Sequence, residues 1–181
     1  MNIALDLIGT NAPSGSRTYL INFCNQLLKH YKKKIVIFVN KDYLKDINIK
    51  KKENVHIVEK PNYYSYGFIR LIWVQLILPI ELIKFRVSRV FSPLNICPLI
   101  LRFSKIRSIL CVHTNLPWVE FEKMPGNFFK KILIKKIMEL SIKFCDSLIV
   151  NSYYAKNELL KKIPINKKKI NVVYLGIDNQ Y

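Results

Sequence analysis

SLIVNSYYAKNELLKKIPINKKKINVVY, residues 147–174, passes from a short apolar run through a polar pair into a helical pattern and then into a second apolar run. Residues 147–150 read as a buried strand and Asn151-Ser152 as its exit. Ser152 is placed to cap a helix over 153–163, which Pro164 stops. Residues 170–174 make the next strand. Strand, helix and strand in this order is the unit of a parallel sheet, because parallel neighbours can be joined only by a crossover of about this length.

The alternation extends toward the N-terminus. Residues 3–8 are an apolar run, followed by a Pro-Ser-Gly turn at 13–15 and a helical pattern over 17–31 that carries Tyr19, Leu20, Phe23, Cys24, Leu27 and Leu28. Residues 35–39 are a β-branched run of the kind buried on both faces, and 54–58 a further short strand. A long apolar segment starts at Tyr66, where Ile69, Ile72, Trp73, Leu76, Ile77, Ile80 and Ile83 mark one helical face. Pro79 inside it predicts a kink or a break. Strands follow over 89–92 and 108–112, ending at Pro93 and His113. A helix over 127–144 is expected to turn Phe128, Ile132, Ile137, Leu140 and Ile142 inward. No repeat of 20–50 residues interrupts the pattern. The expectation is an α/β chain, a single Rossmann-like domain over 1–181 with an open parallel sheet and helices on both faces.

Composition fits that reading. A chain of 181 residues suits one domain, and 50% hydrophobic residues supply a core, so disorder is not expected despite the net charge of +18. The most apolar stretch, 68–85, carries Arg70, Glu81 and Lys84 and leaves ten uncharged residues at 71–80. A membrane span needs roughly 20. The N-terminus has no basic start, and Asp6 interrupts its apolar run, which argues against a signal peptide. A soluble, cytoplasmic chain is expected. Cys24, Cys97, Cys111 and Cys145 form no C-x-x-C pair and sit among apolar neighbours, so they read as buried reduced thiols with no metal site.

Lys supplies 24 of the 30 basic residues, and Ile, Lys and Asn together make 66 of 181, a bias that an AT-rich genome imposes on tolerant surface positions. The Lys triplets at 32–34, 50–52 and 167–169 fall at element ends, where solvated charge is the default. Nucleic-acid binding prefers Arg forks with aromatic platforms, and Arg is scarce here. An anionic membrane surface is the better fit, since attraction of about 1 kcal/mol per nearby Lys accumulates over a cluster.

In such sheets ligands collect at the carboxyl ends of the strands. The loop from Gly9 to Ser16 precedes a helix whose amides can receive a phosphate beside Gly15, although it also reads as a plain turn with a Ser cap. His113 directly follows the run Ile109-Leu110-Cys111-Val112 and is either an active-site group or a strand-end histidine tied to a carbonyl. Asn95 reads as a turn-former or a sugar-binding amide. Tyr63, Tyr64, Tyr66, Phe68 and Trp73 form an aromatic stripe that fits a core and, alternatively, a sugar-stacking surface.

Taken in order, these segments resemble the N-terminal half of family 4 glycosyltransferases, which have the two-domain GT-B fold. Ser14-Gly15-Ser16-Arg17-Thr18-Tyr19-Leu20-Ile21-Asn22-Phe23 is similar to the family's G-x-G-x-Y-x-x-N-L loop and helix. Trp73-Val74-Gln75-Leu76-Ile77-Leu78-Pro79 resembles its W-x-x-x-x-L-P helix, and Ser92-Pro93-Leu94-Asn95-Ile96-Cys97-Pro98 its S-P-x-N-x-x-P loop. Residues 109–114 are similar to the strand ending in His-Asp, 146–156 to D-x-I-I-x-x-S-x-x-x-K, and 170–178 to the V-x-x-G-V-D exit toward a second domain. Arg17 replaces the second glycine, and Thr114 the Asp after His113. No glutamate has a partner eight positions on, so the E-x7-E pair of the family's donor domain has no counterpart.

The resemblance implies the acceptor-binding half of a retaining glycosyltransferase, with the C-terminal donor domain absent from the sequence. Its donor substrate would be a nucleotide-sugar and its acceptor a glycan or lipid-linked molecule of cell-surface polysaccharide synthesis. No cofactor or metal is implied. His113 would be catalytic, and Gly15, Ser16, Arg17, Asn95 and Thr114 would bind substrate. The partners implied are a separate chain carrying the donor domain and a peripheral contact with the inner face of the membrane. Two other readings stand beside this one: a non-catalytic interaction module that kept the fold, and a basic domain that binds nucleic acid or anionic lipid.

Overall fold

Ile35-Val36-Ile37-Phe38-Val39-Asn40 is buried at every position, which a strand shows only when both of its faces are covered. This strand, β2 (Ile35–Asn40), lies beside β1 (Ile3–Asp6) inside a parallel sheet in the computed structural model, which describes residues 2–9, 15–44, 53–114 and 116–176. The remaining strands are β3 (Val55–Lys60), β4 (Arg89–Ser92), β5 (Arg107–Val112), β6 (Ser147–Val150) and β7 (Ile170–Val172). The order is β3-β2-β1-β4-β5-β6-β7, and every neighbouring pair is parallel. The α/β Rossmann-like expectation holds. The first three strands run outward from β1 in one direction and the last four in the other, so the strand order reverses between β1 and β4.

Alternation along the strands divides the core. Ala4, Val36, Phe38 and Val90 face one layer, with Trp73, Val74, Leu78, Leu82 and Met138 packed on them. Leu5, Ile35, Ile37, Val39 and Phe91 face the other, under Leu20, Cys24 and Leu28 of α1 (Gly15–His30) and Tyr43 of the short α2 (Lys41–Leu44). A third cluster surrounds β5 to β7, where Leu110, Leu148, Val150 and Ile170 meet Ile142, Leu159 and Ile163. All four cysteines are free and buried. Thr10 to Ser14 of the expected loop, the Lys triplet at 50–52 and the exit at Ile177-Asp178 lie outside the described residues.

Pro79 has a specific consequence. The segment from 67 to 84 runs as α3 (Gly67–Ile72), a π-helical turn (Trp73–Ile77) and α4 (Leu78–Lys84), with Pro79 in the first turn of α4. The Leu78 amide donates to the Trp73 carbonyl five residues back, so the wider turn takes up the place where proline has no amide to offer. One extra residue in a turn also shifts the helical phase. The buried face therefore runs through Arg70, Trp73, Val74, Leu78 and Leu82, while Leu76, Ile80 and Ile83 of the expected face are exposed. The aromatic stripe divides as well: Trp73 is core, but Tyr63, Tyr66 and Phe68 reach solvent.

The two remaining long helices are α6 (Phe128–Phe144), which follows the short α5 (Leu116–Val119), and α7 (Tyr153–Lys162). Asn127 caps α6 by accepting from the Lys130 amide, and Ser152 caps α7 by accepting from the Ala155 amide, as its sequence position suggested. Phe128 and Ile132 are not turned inward. The buried residues of α6 are Met138, Ser141 and Ile142, all in its second half, and its first turns stand in solvent. Periodicity identifies which residues share a face but not whether anything covers it.

The lysine triplet at 167–169 is also unlike its expectation. Lys167 and Lys168 are exposed, but Lys169 reaches the end of α6, where Nζ donates to the carbonyls of Ile142 (2.6 Å), Lys143 (2.8 Å) and Cys145 (3.2 Å). An ammonium there satisfies carbonyls that the helix leaves unpaired and meets the negative end of its dipole. Replacing it with methionine is expected to lower unfolding free energy by about 2 kcal/mol, the scale of lost charge-assisted bonds. Lys167→Met is expected to change it by less than about 0.5 kcal/mol. Urea denaturation of both variants measures the difference.

Candidate functional site

The reversal of strand order opens a crevice where the exits of β1 and β4 diverge. Leu7 and Ile8 continue β1 as buried residues, and Gly9 follows. A Cβ on Gly9 would stand 2.5 Å from Leu94 Cδ1, so glycine lets the β1 exit close against the β4 exit. Above this contact lies a cavity of about 370 Å³. Its walls come from Gly9, from Ser16 in the first turn of α1, from Leu94, Asn95 and Ile96 after β4, and from His113 and Thr114 after β5. Ser65 and Arg70 close the remaining side. A second hollow of about 160 Å³ continues past His113 and Thr114 to Asn151, Ser152 and Tyr154.

Asn95 fixes this corner. Its backbone is left-handed (φ 63°), a conformation that asparagine tolerates better than most residues. Its amide donates to the Cys111 carbonyl at 3.1 Å, and its Oδ1 accepts from the His113 amide at 2.8 Å. The turn-forming role is thus realised, and through it the β4 exit clasps the end of β5. Gln75 adds a second clasp by donating to the Cys97 carbonyl and accepting from the Leu99 amide, both at 3.0 Å. The W-x-x-x-x-L-P helix and the S-P-x-N-x-x-P loop of the sequence are therefore one structural unit.

His113 shows the strand-end role, tied to a carbonyl. Its ring donates to the Pro93 carbonyl, and Nε2 is buried with no hydrogen-bond partner, which makes Nδ1 the donor. Tyr19 meets the ring edge-on at 4.7 Å. Burial lowers the pKa of His113, against a smaller opposing effect of the Pro93 bond, so the imidazole is neutral at neutral pH. With Nδ1 protonated, Nε2 carries a lone pair that can accept from a ligand hydroxyl. Beside it, the Tyr19 hydroxyl is bonded to the Cys111 thiol, and burial pushes that thiol up to about 11.

Of the other expected site residues, Ser16 and Thr114 lie on the cavity wall, with Thr114 shared by both hollows. Gly15 is exposed at the start of α1 with open space where a side chain would be. Arg17 places its guanidinium over the Tyr43 ring at 4.9 Å, and its carbonyl accepts from the Tyr43 hydroxyl. Sequence reasoning missed Asp6 and Arg70. Asp6 ends β1 in complete burial, and Arg70 Nη2 donates to its Oδ2 at 2.9 Å. Trp73 Nε1 and the Ile8 amide both donate to Oδ1, at 3.0 and 3.3 Å. The available signal was one acid ending an apolar strand and one arginine inside the longest apolar stretch. Among the described residues, no three His, Cys, Asp or Glu side chains converge as metal ligands would.

A family model described as Glycosyltransferase Family 4 matches residues 13–181. Among solved structures, the chain is similar to UDP-GlcNAc 2-epimerase from Methanocaldococcus jannaschii, with a TM-score of 0.59 and 17% sequence identity. That alignment covers 96% of this chain and 45% of the epimerase, so the chain spans less than half the length of that protein. At this identity the likeness is one of fold. No curated protein matches the chain significantly.

The neutral state of His113 has a measurable consequence for stability. Its folded pKa lies below the ordinary value of 6.5, so the unfolded chain takes up the proton first as pH falls. The contribution is whole above about pH 6.5 and is lost as pH falls through the folded value. Tyr19 and Cys111 keep their protons throughout, since burial moves both upward. Tm is expected to drop between pH 7.5 and 5.5, and His113→Asn to flatten that dependence. Thermal unfolding across the range checks it.

Proposed function

This chain belongs to glycosyltransferase family 4, and on that premise we propose that it forms the acceptor-side half of a retaining glycosyltransferase. A glycosyl group would pass from a nucleotide-sugar to a glycan or lipid-linked acceptor in the synthesis of cell-surface polysaccharide. The observation that carries this reading is the cavity at the strand-order reversal, where a neutral histidine whose Nε2 has no partner joins Ser16, Asn95 and Thr114 in the lining.

In this reading His113 accepts a hydrogen bond from a hydroxyl of the donor sugar and fixes that ring against the acceptor. A group held neutral by burial and anchored through Nδ1 positions without titrating, which is what an orienting contact requires. Asn95 acts through His113 by holding its backbone. Gly15 and Ser16 lie next to the open start of α1, where donor phosphates or acceptor would approach the helix amides, and Thr114 lines the path between the two hollows. Arg17 braces α1 on Tyr43. A second domain, on the same polypeptide or on a partner chain, would supply the facing wall and the groups that hold the nucleotide.

A lipid-linked acceptor also suits the surface. A crossover helix returns against the strand direction, so the first turns of α6 lie at the same sheet edge as the cavity. They expose Phe128, Phe129, Ile132 and Leu133 among Lys130, Lys135 and Lys136, with Phe129 81% accessible. Aromatic side chains that enter a lipid interface, ringed by lysines that meet anionic headgroups, are the makings of a peripheral membrane contact. Among the described residues no helix is long and apolar enough to cross a membrane.

Two measurements test these roles. With the chain joined to or co-expressed with a donor domain that restores sugar transfer, His113→Ala is expected to lower turnover by roughly ten- to ten-thousand-fold, the range for one positioned polar group. Because Gln retains an acceptor oxygen, His113→Gln is expected to recover part of that loss. A variant with a lowered Tm but normal turnover per folded molecule would remove His113 from the site. Separately, vesicles containing anionic lipid are expected to bind the chain more tightly than neutral ones. Salt at about 0.5 M should weaken the binding by screening, and Phe129→Glu by charging the apolar patch. Equal binding to both vesicle types would reduce the lysine surplus to surface composition.

A further inference from the structure

Arg70 is a charged cavity residue that sugar transfer, as described, leaves unused. It is 9% exposed and lines the cavity, and its guanidinium offers N–H donors in a fixed fork. Nη2 is spent on Asp6 at 2.9 Å, whereas Nη1 is buried with no hydrogen-bond partner. A buried charged donor is stable only when an oxygen is brought to it. Asp6 is not that oxygen, because its Oδ2 takes Nη2 and its Oδ1 takes Trp73 Nε1 and the Ile8 amide. Nor do the lining residues named above include a carboxylate; they offer hydroxyls, an amide and an imidazole. The wall therefore combines the apolar surface of Leu94 and Ile96 with a few hydrogen-bonding groups, and Arg70, which contributes to it, carries one N–H without a partner.

We propose that Arg70 Nη1 receives an anionic oxygen of the acceptor, so that this half selects an acceptor bearing a carboxylate or a phosphoryl group over a neutral sugar. The proposal rests on the reading of the cavity as a sugar site and adds the chemical class of what enters it. Asp6 holds the guanidinium plane from behind and Trp73 holds Asp6, so the free N–H is preorganised. A charge-assisted bond from such a group costs little further ordering when the ligand arrives.

The test is an amide NMR titration of the 181-residue chain with glucuronate, with glucose and with UDP, at constant ionic strength. The expected result is at least about tenfold tighter binding of glucuronate than of glucose, read from shifts at Asn95, His113 and Thr114. Arg70→Gln alone would strand the buried Asp6, so the pair D6N and R70Q keeps the site neutral. In that double variant the preference is expected to fall to within about twofold while glucose binding persists. Glucuronate binding no tighter than glucose in the native chain would overturn the proposal and leave the sugar site standing. So would a preference that survives in the double variant, which would belong to surface lysines. Loss confined to UDP would assign Nη1 to the donor's phosphates and overturn the acceptor claim. If neither sugar moved the three reporter residues, the reading of the cavity would fail together with the proposal.

Discussion

A carboxylate buried at the end of β1, an interior strand, constrains much of what surrounds it. Asp6 is inaccessible to solvent, and a charge in that position is tolerated only if donors converge on it. Three do so: the guanidinium of Arg70, the indole of Trp73 and the Ile8 amide. Two of them lie more than sixty residues away along the chain, so pairing the acid docks the helical segment starting at Gly67 over the exit of β1. The π turn that accommodates Pro79 starts at Trp73 and carries the same segment on to bury Leu78 and Leu82. Packing of that layer and the location of the cavity wall thus follow from one electrostatic requirement. Removing a single partner would leave an uncompensated charge, which is far more costly than the pair is stabilising.

The crevice itself is shaped by short-range contacts between strand exits. Gly9 admits Leu94, Asn95 ties the β4 exit to the end of β5, and Gln75 ties the following loop to the helical layer. None of these groups is placed by its own strand alone. Each is held from a neighbouring strand or from the layer above, which is how a parallel sheet turns several loops into one rigid corner. His113 gains its orientation from this arrangement, with the ring anchored to Pro93, the backbone anchored to Asn95 and the edge packed on Tyr19. The cavity and the exposed start of α6 then share one edge of the sheet.

Much of the fold is legible along the chain because it is written locally. Runs such as Ile35 to Val39 and Arg89 to Ser92 announce strands through β-branching and burial, and Asn127 and Ser152 announce helix starts through their capping oxygens. His113 could be placed at the working edge for the same reason, since it directly follows a strand. The ordered motifs led to the family that the chain's own match supports. A local pattern is sufficient for such features because their cause, backbone hydrogen bonding and the period of the side chains, acts within a few residues.

Where the sequence misled, the cause lay in contacts between distant segments or in a change of helical phase. The face of residues 67–84 shifted because a π turn moved the register, and the start of α6 stayed largely in solvent, with Phe121 against Phe128 giving it only partial cover. Lys169 looked like one of three solvated lysines until the end of α6 arrived beside it. Asp6 and Arg70 looked like interruptions of apolar runs and are instead partners across 64 positions. The sequence alone therefore determined the strands, the helix starts, the parallel class and the position of His113, since each depends on neighbouring residues. The tertiary structure decided which faces are covered, which charges are paired and which buried donor is left without a partner, because desolvation and pairing are set by whatever folding brings alongside.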